Sequence, residues 1–171
     1  MKKTGDIAQA LKKYTGQKNK IVRVGFIDGA KDSNGTPVAQ VAFWNEYGTK
    51  TSPPRPFFRS AITQNKSEWA RRLVKLTQIY DMDKSLGLIG ENIKGDIISS
   101  ILETNDPPNS EVTALLKDRF PMNPQDITKA DVYKAIRDVQ NGKTGGNHRK
   151  PLVWTGDMVK RVSYEVVDDE S

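Results

Sequence analysis

The 171-residue sequence has no cysteine, a single histidine and no long hydrophobic run. The lack of cysteine excludes disulfide scaffolds, cysteine-ligated zinc, iron–sulfur clusters and thiol catalysis. No segment approaches the roughly 18 apolar residues that a membrane-spanning helix requires, and residues 7–13 are amphipathic rather than signal-peptide-like. We therefore expect no membrane contact, and a chain long enough to bury an ordinary hydrophobic core.

Positive charge is concentrated at the N-terminus. The net charge is +6, and residues 1–23 hold seven basic residues and one acid, so the remainder is balanced. Ile7, Leu11 and Tyr14 recur at helical spacing, which indicates a basic helix or arm over residues 1–20. Its lysines are candidates for contact with nucleic acid or an acidic partner, although a solvated helix face also fits. They are Lys2, Lys3, Lys12, Lys13, Lys18 and Lys20.

Three segments have the composition of β-strands. Residues 21–27 are β-branched and aromatic, turn residues follow, and residues 38–46 are apolar again, which predicts a β-hairpin. Val162, Tyr164 and Val166 alternate with polar residues, which predicts a strand near 159–167. We expect these strands to form one small antiparallel sheet, the hairpin plus the C-terminal strand.

Helices are predicted between the strands. Pro53-Pro54-Arg55-Pro56 is an extended connector, because proline removes backbone donors and disfavours helix before it. The apolar positions of residues 60–80 and 86–102 predict two helices, or one helix bent near residues 81–84. Shorter helices are predicted near 111–117, capped by Ser110 or Asn109, and near 129–139, capped by Thr128. The glycines at 87, 90 and 95 predict close packing against another element.

The fold class predicted from these elements is α+β, a small antiparallel sheet packed on long central helices. Residues 21–167 form a single domain in this interpretation. Residues 140–150, rich in glycine and asparagine, are expected to be a flexible loop, and residues 168–171 an acidic tail.

Residues suited to catalysis are sparse. His148 lies in a Gly/Lys/Arg-rich loop, which favours a solvated side chain over a general base. Gly142-Lys143-Thr144 is similar to the end of a phosphate-binding loop, but position 137, where its first glycine would fall, is arginine. Asp28, Asp32 and Asn34 fit turn positions and do not follow EF-hand spacing. We expect no enzymatic activity, no metal and no cofactor.

The balanced remainder of the chain is itself polarised. Residues 50–75 hold seven basic residues and one acid, whereas residues 76–142 hold seven basic residues and eleven acids. Copies that meet head to tail would bring unlike charges together, and such contacts close into a ring when the rotation permits. A solvated surface of mixed charge is the alternative interpretation.

Several strings resemble a known family. They are Val24-Gly25-Phe26 before a Gly/Asp/Asn turn, then Val38-Ala39-Gln40-Val41-Ala42, Asn45-Glu46-Tyr47-Gly48 and Pro53-Pro54-Arg55-Pro56-Phe57-Phe58-Arg59. Near the C-terminus, Lys150-Pro151-Leu152-Val153-Trp154-Thr155-Gly156-Asp157-Met158 runs into the final strand. In this order, over roughly residues 21–166, they resemble the neck and tail-completion proteins of tailed bacteriophages, the minor tail protein Z-like tail components.

The resemblance implies a structural virion protein without catalysis, assembled in the host cytoplasm. It would form an oligomeric ring at the head–tail junction and join the connector to the tail terminator or tube. The partners it implies are further copies of the chain, other neck and tail proteins, and non-specific contact with DNA passing the neck. The expected interface residues are Asn45, Glu46, Tyr47, Pro54, Arg55, Pro56 and Arg59, in which the arginines offer bidentate contacts to carboxylates.

A nucleic-acid-binding accessory protein that uses the basic arm is the alternative function. Binding of that kind falls steeply with salt and depends on residues 1–20.

Overall fold

A computed structural model describes residues 19–27, 29–32, 35–146, 148 and 150–169 of the chain. The predicted basic arm, apart from its last two residues, and the last two residues of the predicted acidic tail lie outside this part. In chain order the elements are β1 (Lys20–Gly25), α1 (Val38–Tyr47), α2 (Phe57–Ile79), α3 (Met82–Glu103), α4 (Glu111–Arg119), a 3₁₀ turn (Pro124–Asp126), α5 (Lys129–Gln140), α6 (Asp157–Arg161) and β2 (Ser163–Asp168). The α+β class predicted from the sequence is confirmed.

The sheet is a two-stranded antiparallel pair that lies on α3. Lys20 of β1 is opposite Asp168 of β2, and Gly25 is opposite Ser163. Gly90 lets α3 approach both strands, since a Cβ there would lie 2.4 Å from Cδ2 of Tyr164. The close packing predicted at this glycine is confirmed. At the other two helical glycines, residues 87 and 95, a Cβ would meet nothing within 4 Å, so the same prediction is wrong there.

The predicted hairpin is wrong, because residues 38–47 form helix α1. Val38, Ala42 and Glu46 are buried at i, i+4 and i+8, the spacing of one helix face. The opposite face carries exposed aromatic side chains, while the polar Glu46 lies on the buried face, so hydrophobicity along the run does not follow the period of 3.6 residues. The sheet therefore has two strands instead of the three that the sequence predicts.

Helices α2 and α3 form an antiparallel hairpin. Tyr80 is extended, with φ −120° and ψ 162°, and Asp81 begins α3 by accepting a hydrogen bond from Lys84 N at 2.9 Å. The chain thus breaks into two helices where the sequence left open a single bent one. Trp69 Nε1 donates to Asp96 Oδ2 at 2.6 Å and joins the two helices across the hairpin.

The described residues bury two apolar clusters. The larger one lies where α1, α2, α3 and α6 meet, and its centre is Phe57, Ala61, Ile97 and Ile101. The smaller one joins α4 to α5 through Leu115, Leu116 and Ala135, with Trp154 packed against it. Trp154 Nε1 donates to Phe120 O at 2.9 Å.

The segment between α5 and residue 150, predicted as a flexible loop, has specific contacts with α4 and the residues before it. Gly146 N donates to Asp118 Oδ2 at 2.8 Å, and Asn109 Nδ2 donates to Lys150 O at 2.9 Å. Gly145 is buried, and a Cβ there would lie 2.4 Å from Cβ of Ala114. Among the described helices, none combines the length and apolar character needed to cross a bilayer.

Candidate functional site

Of the six arm lysines singled out in the sequence, only Lys20 belongs to the part that the structure describes. It lies at the start of β1 and pairs with Asp83 of α3. The hydrogen bond to Asp83 raises the pKa of Lys20 above its ordinary value. Lys2, Lys3, Lys12, Lys13 and Lys18 lie outside the described residues, so their predicted contact with nucleic acid or an acidic partner stays a prediction.

The seven predicted interface residues come together where α1 ends, the proline connector runs and α2 begins. Arg55 N donates to Asn45 O at 2.7 Å, which holds the connector against the end of α1. Gly48 makes this return possible, because its φ is +79° and a Cβ would lie 2.9 Å from Pro54 N. The α1 end, the connector and the α2 start are one structural unit, which we call the connector junction (residues 45–59).

Glu46 is the centre of the connector junction. It is only 5% exposed, and its carboxylate accepts hydrogen bonds from Phe58 N at 2.8 Å and from Arg59 N at 3.1 Å. These are free donors of the first turn of α2, whose N-cap Pro56 provides no side-chain cap. Arg59 Nε also donates to Glu46 Oε1 at 2.8 Å. Glu46 therefore serves the fold as the cap of α2, and its charge is neutralised within the chain.

Arg55 also faces inward. Its side chain is buried, and Nε donates to Pro107 O at 2.8 Å while Nη2 donates to Pro108 O at 3.3 Å. Burial lowers the pKa of the Arg55 guanidinium. The sequence led us to expect that Arg55 and Arg59 form bidentate contacts with a neighbouring subunit. Both side chains already have hydrogen-bond partners within the chain, which compete with such contacts. Tyr47, Pro54, Pro56 and Arg59 are the exposed members of the predicted set.

An exposed apolar feature beside the junction is the aromatic face of α1 (Phe43, Trp44 and Tyr47), of which the sequence singled out only Tyr47. Phe43 is 58% exposed and Tyr47 56% exposed, and their ring centroids lie 4.7 Å apart. The Arg59 guanidinium lies 4.8 Å from the centroid of the Tyr47 ring. The signal was present as three aromatic residues within five positions, but the segment was interpreted as a strand with one buried face.

A second apolar surface lies at the turn of the α2–α3 hairpin. We call it the hairpin-tip patch; its members are Ile79, Tyr80, Met82 and Leu88. Ile79 is 71% exposed. A groove of about 320 Å³ beside Ile79 and Leu88 is bordered by Arg72 and Lys75. Grouped exposed apolar residues with polar neighbours are typical of protein interaction surfaces.

The described residues that were considered for a metal site or for catalysis, Asp32 and His148, lie in a turn and on the surface. Asp32 Oδ1 accepts a hydrogen bond from Thr36 N at 2.8 Å, as expected in a turn, while Asp28 and Asn34 lie outside the described residues. His148 Nε2 lies 3.3 Å from Asp118 Oδ1 on the surface. Within the described ranges, no group of three or more His, Cys, Asp or Glu side chains is placed to hold a metal ion.

No protein-family model matches this chain, and neither the curated proteins nor the solved structures contain a significant match. The case for a function therefore depends on the sequence strings and on the surfaces described above.

Proposed function

We propose that this chain is a structural virion protein of a tailed bacteriophage, which forms an oligomeric ring at the head–tail junction and joins the connector to the tail. The observation that carries the proposal is the presence of two different exposed apolar surfaces at opposite ends of one long helix. The aromatic face of α1 lies beside the start of α2, and the hairpin-tip patch lies at its end. A chain with two unlike adhesive surfaces assembles head to tail, which is the geometry of a ring.

The separation of the two surfaces supports this geometry. Helix α2 has 23 residues, so at 1.5 Å per residue its ends are about 33 Å apart. One patch on each copy would produce a two-fold dimer and stop there. Two patches this far apart leave each copy able to contact two neighbours simultaneously.

The charges of α2 support it as well. Arg71 pairs with Glu68 on its own helix, and Lys94 of α3 pairs with Glu91 in the same way. Among the described residues no ion pair joins α2 to α3, although the sequence makes the first basic and the second acidic. Arg59, Arg71 and Arg72 have polar partners within the chain, so Lys66 and Lys75 are the basic residues of α2 in the described part that remain available to a neighbouring copy, where they would steer association.

The test is a mixing experiment with two defective variants. One variant carries Phe43→Ser and Tyr47→Ser on α1, and the other carries Ile79→Ser and Leu88→Ser at the hairpin tip. We expect the wild-type chain to form rings, each variant alone to stay monomeric, and an equimolar mixture to form only one-to-one dimers, as measured by mass photometry and electron microscopy. Tyr133→Ser, which removes an exposed aromatic residue from α5, is the matched control and should still form rings.

The results separate the alternatives. If the α1 variant stays monomeric while the tip variant still forms dimers by itself, the contact is two-fold and the ring is wrong. If all variants assemble like the wild type, neither surface is an interface. At the level of the virion, a phage that lacks the gene should make filled heads and tails that do not join, and normal infectious particles would contradict the head–tail role.

A further inference from the structure

A cavity of about 600 Å³ opens between α1, the proline connector, α4 and the segment 151–158. Its volume is in the range of sites that hold small organic molecules. Val41, Leu152 and Met158 form an apolar part of its wall, and Arg55 and Lys117 bring two buried cations to it. Neither the connector junction nor the ring contact explains why two positive charges are buried side by side.

Lys117 of α4 is the more deeply buried of the two, with 3% of its surface exposed. Its ammonium donates to Lys150 O and to Val153 O, both at 2.7 Å, and lies 5.5 Å from the centroid of the Trp154 ring. Burial, followed by the like charge of Arg55, lowers the pKa of Lys117 to about 8. An ammonium has three donors, so one remains after the two carbonyl contacts.

Arg55 is satisfied only in part. Of its five N–H donors, the contacts with the carbonyls of residues 107 and 108 use two, and Nη1 has no hydrogen-bond partner among the described residues. Nη1 is not fully buried, so solvent reaches it. The guanidinium therefore keeps free donors at the cavity.

The acids of the cavity do not neutralise these cations. Asp32 and Asp157 line it, but Asp32 accepts from Thr36 N and Asp157 from Thr155 Oγ1, and neither forms an ion pair with Arg55 or Lys117. Within the described residues no carboxylate lies within 4.0 Å of either cation. Buried charges in proteins are usually paired, and an uncompensated pair of like charges is costly to bury.

We propose that this cavity is a binding site for a small organic oxyanion, a carboxylate or a phosphate ester, held between Arg55 and Lys117. The guanidinium has the planar donor geometry that suits both groups, and the ammonium adds a second charge. The organic part of the ligand would lie against the apolar wall. The described lining residues include none of the exposed aromatic residues of α1 and none of the hairpin-tip patch, so this proposal does not rest on the proposed ring.

The first experiment uses the wild-type chain. Inorganic phosphate, phenyl phosphate and benzoate are titrated against ¹⁵N-labelled protein, and the indole N–H of Trp154 is followed with that of Trp69 as an internal control. We expect saturable shifts at Trp154 and none at Trp69, which lies in the α2–α3 hairpin. Tighter binding of phenyl phosphate than of inorganic phosphate would show the contribution of the apolar wall, and comparison with benzoate distinguishes the two oxyanions.

The second experiment compares two lysine variants by calorimetry. Lys117→Met keeps the apolar stem and removes the charge, and we expect the affinity for phenyl phosphate to fall at least about tenfold. Lys134→Met removes an exposed lysine of α5 and should leave the affinity unchanged. Equal losses in both variants, equal shifts at both tryptophans, or no saturable binding by the wild-type chain would overturn the proposal. The tryptophan shifts keep it testable if Lys117→Met does not fold.

Discussion

At the scale of single residues, the Thr128 side chain begins helix α5, and the absence of a side chain at Gly90 lets α3 approach the sheet. Thr128 was predicted to cap α5, and it does so with Asp131 in a reciprocal capping box. The sequence predicted close packing at all three glycines of α3, but only Gly90 lies against the sheet. Which face of a helix contacts a strand depends on the tertiary arrangement, and this face cannot be predicted from the spacing of the glycines.

The two classes of glycine give a matched pair of predictions. Gly90→Ala should lower the free energy of unfolding by about 1–3 kcal/mol, because its methyl group would overlap the Tyr164 ring and the Val22 side chain. Gly87→Ala should raise it by up to about 1 kcal/mol, because alanine is the better helix former and meets no atom there. Urea denaturation measures both. A stabilising Gly90→Ala would contradict the close approach of α3 and β2.

The cap formed by Glu46 is a second residue-level test. Glu46→Ala should cost about 2–4 kcal/mol, because it leaves two backbone donors of α2 and the Arg59 guanidinium without their acceptor. Glu68→Ala, which breaks an exposed ion pair with Arg71 on the same helix, should cost less than about 0.5 kcal/mol. Similar losses from both substitutions in thermal and urea unfolding would be incompatible with a buried cap at Glu46.

At the scale of elements, the sequence predicted most helices and the two strands that pair, but it misassigned α1 and placed residues 159–161, which belong to helix α6, in the last strand. A period of 3.6 residues is visible only when the buried face of a helix is apolar and the exposed face polar, and α1 buries Glu46 while it exposes Phe43, Trp44 and Tyr47. The exposed aromatic face, which prevented the prediction of this helix, also shows that α1 lies at the surface. The connector junction was predicted as a group of residues, whereas the inward role of Glu46 and Arg55 required the structure.

The helical assignment of α1 makes its own prediction. Phe43→Pro should lower the free energy of unfolding by about 3 kcal/mol or more, because proline removes a hydrogen bond and clashes with the preceding turn. Phe43→Ala should have little effect on the isolated chain, because the ring is exposed. Circular dichroism with thermal unfolding distinguishes the two, and equal tolerance of both substitutions would contradict a helix at this position.

The contact of α4 with the segment 150–154 through Lys117 predicts a pH dependence. The folded chain holds the Lys117 proton with a pKa of about 8, below the ordinary 10.5, under the influence of burial and of Arg55. The unfolded chain therefore binds more protons between these values, and the free energy of unfolding should rise with pH from about 8 to about 10.5, by on the order of 3 kcal/mol. Below pH 8 both states are protonated, and the cost of burying the charge is fully present.

Comparison of variants isolates this contribution from other groups that titrate in the same range. Urea unfolding of Lys117→Met should lack the rise, and Lys134→Met should retain it. Arg55, Asp32 and Asp157 are the other charged groups that line the cavity, and they are unchanged in both variants. An identical pH profile in Lys117→Met and wild type would show that the Lys117 proton is not linked to folding.

At the scale of the whole molecule, the class α+β could be predicted from composition and periodicity, but the arrangement of surfaces could not. Charge along the chain predicted that neighbouring copies would meet through unlike segments. Within one chain the structure brings the basic α2 and the acidic α3 side by side, joined by Trp69 and Asp96 rather than by an ion pair, and the contact between copies stays a prediction. The order of charges along the sequence does not show how the chain folds back on itself. Residues that are neighbours in the sequence therefore need not be neighbours in space.

The α2–α3 hairpin also fixes the distance between the two ends of α2. A helix resists compression along its axis, and a second helix packed against it resists bending, so the distance between the two ends of α2 is constant to within small fluctuations. Any assembly that uses both ends therefore has its subunit repeat encoded as a number of residues, at about 1.5 Å each. Each residue inserted into both helices would increase this distance by about 1.5 Å and rotate the distal surface by about 100°, so only insertions close to whole helical turns would keep the relative orientation of the two ends.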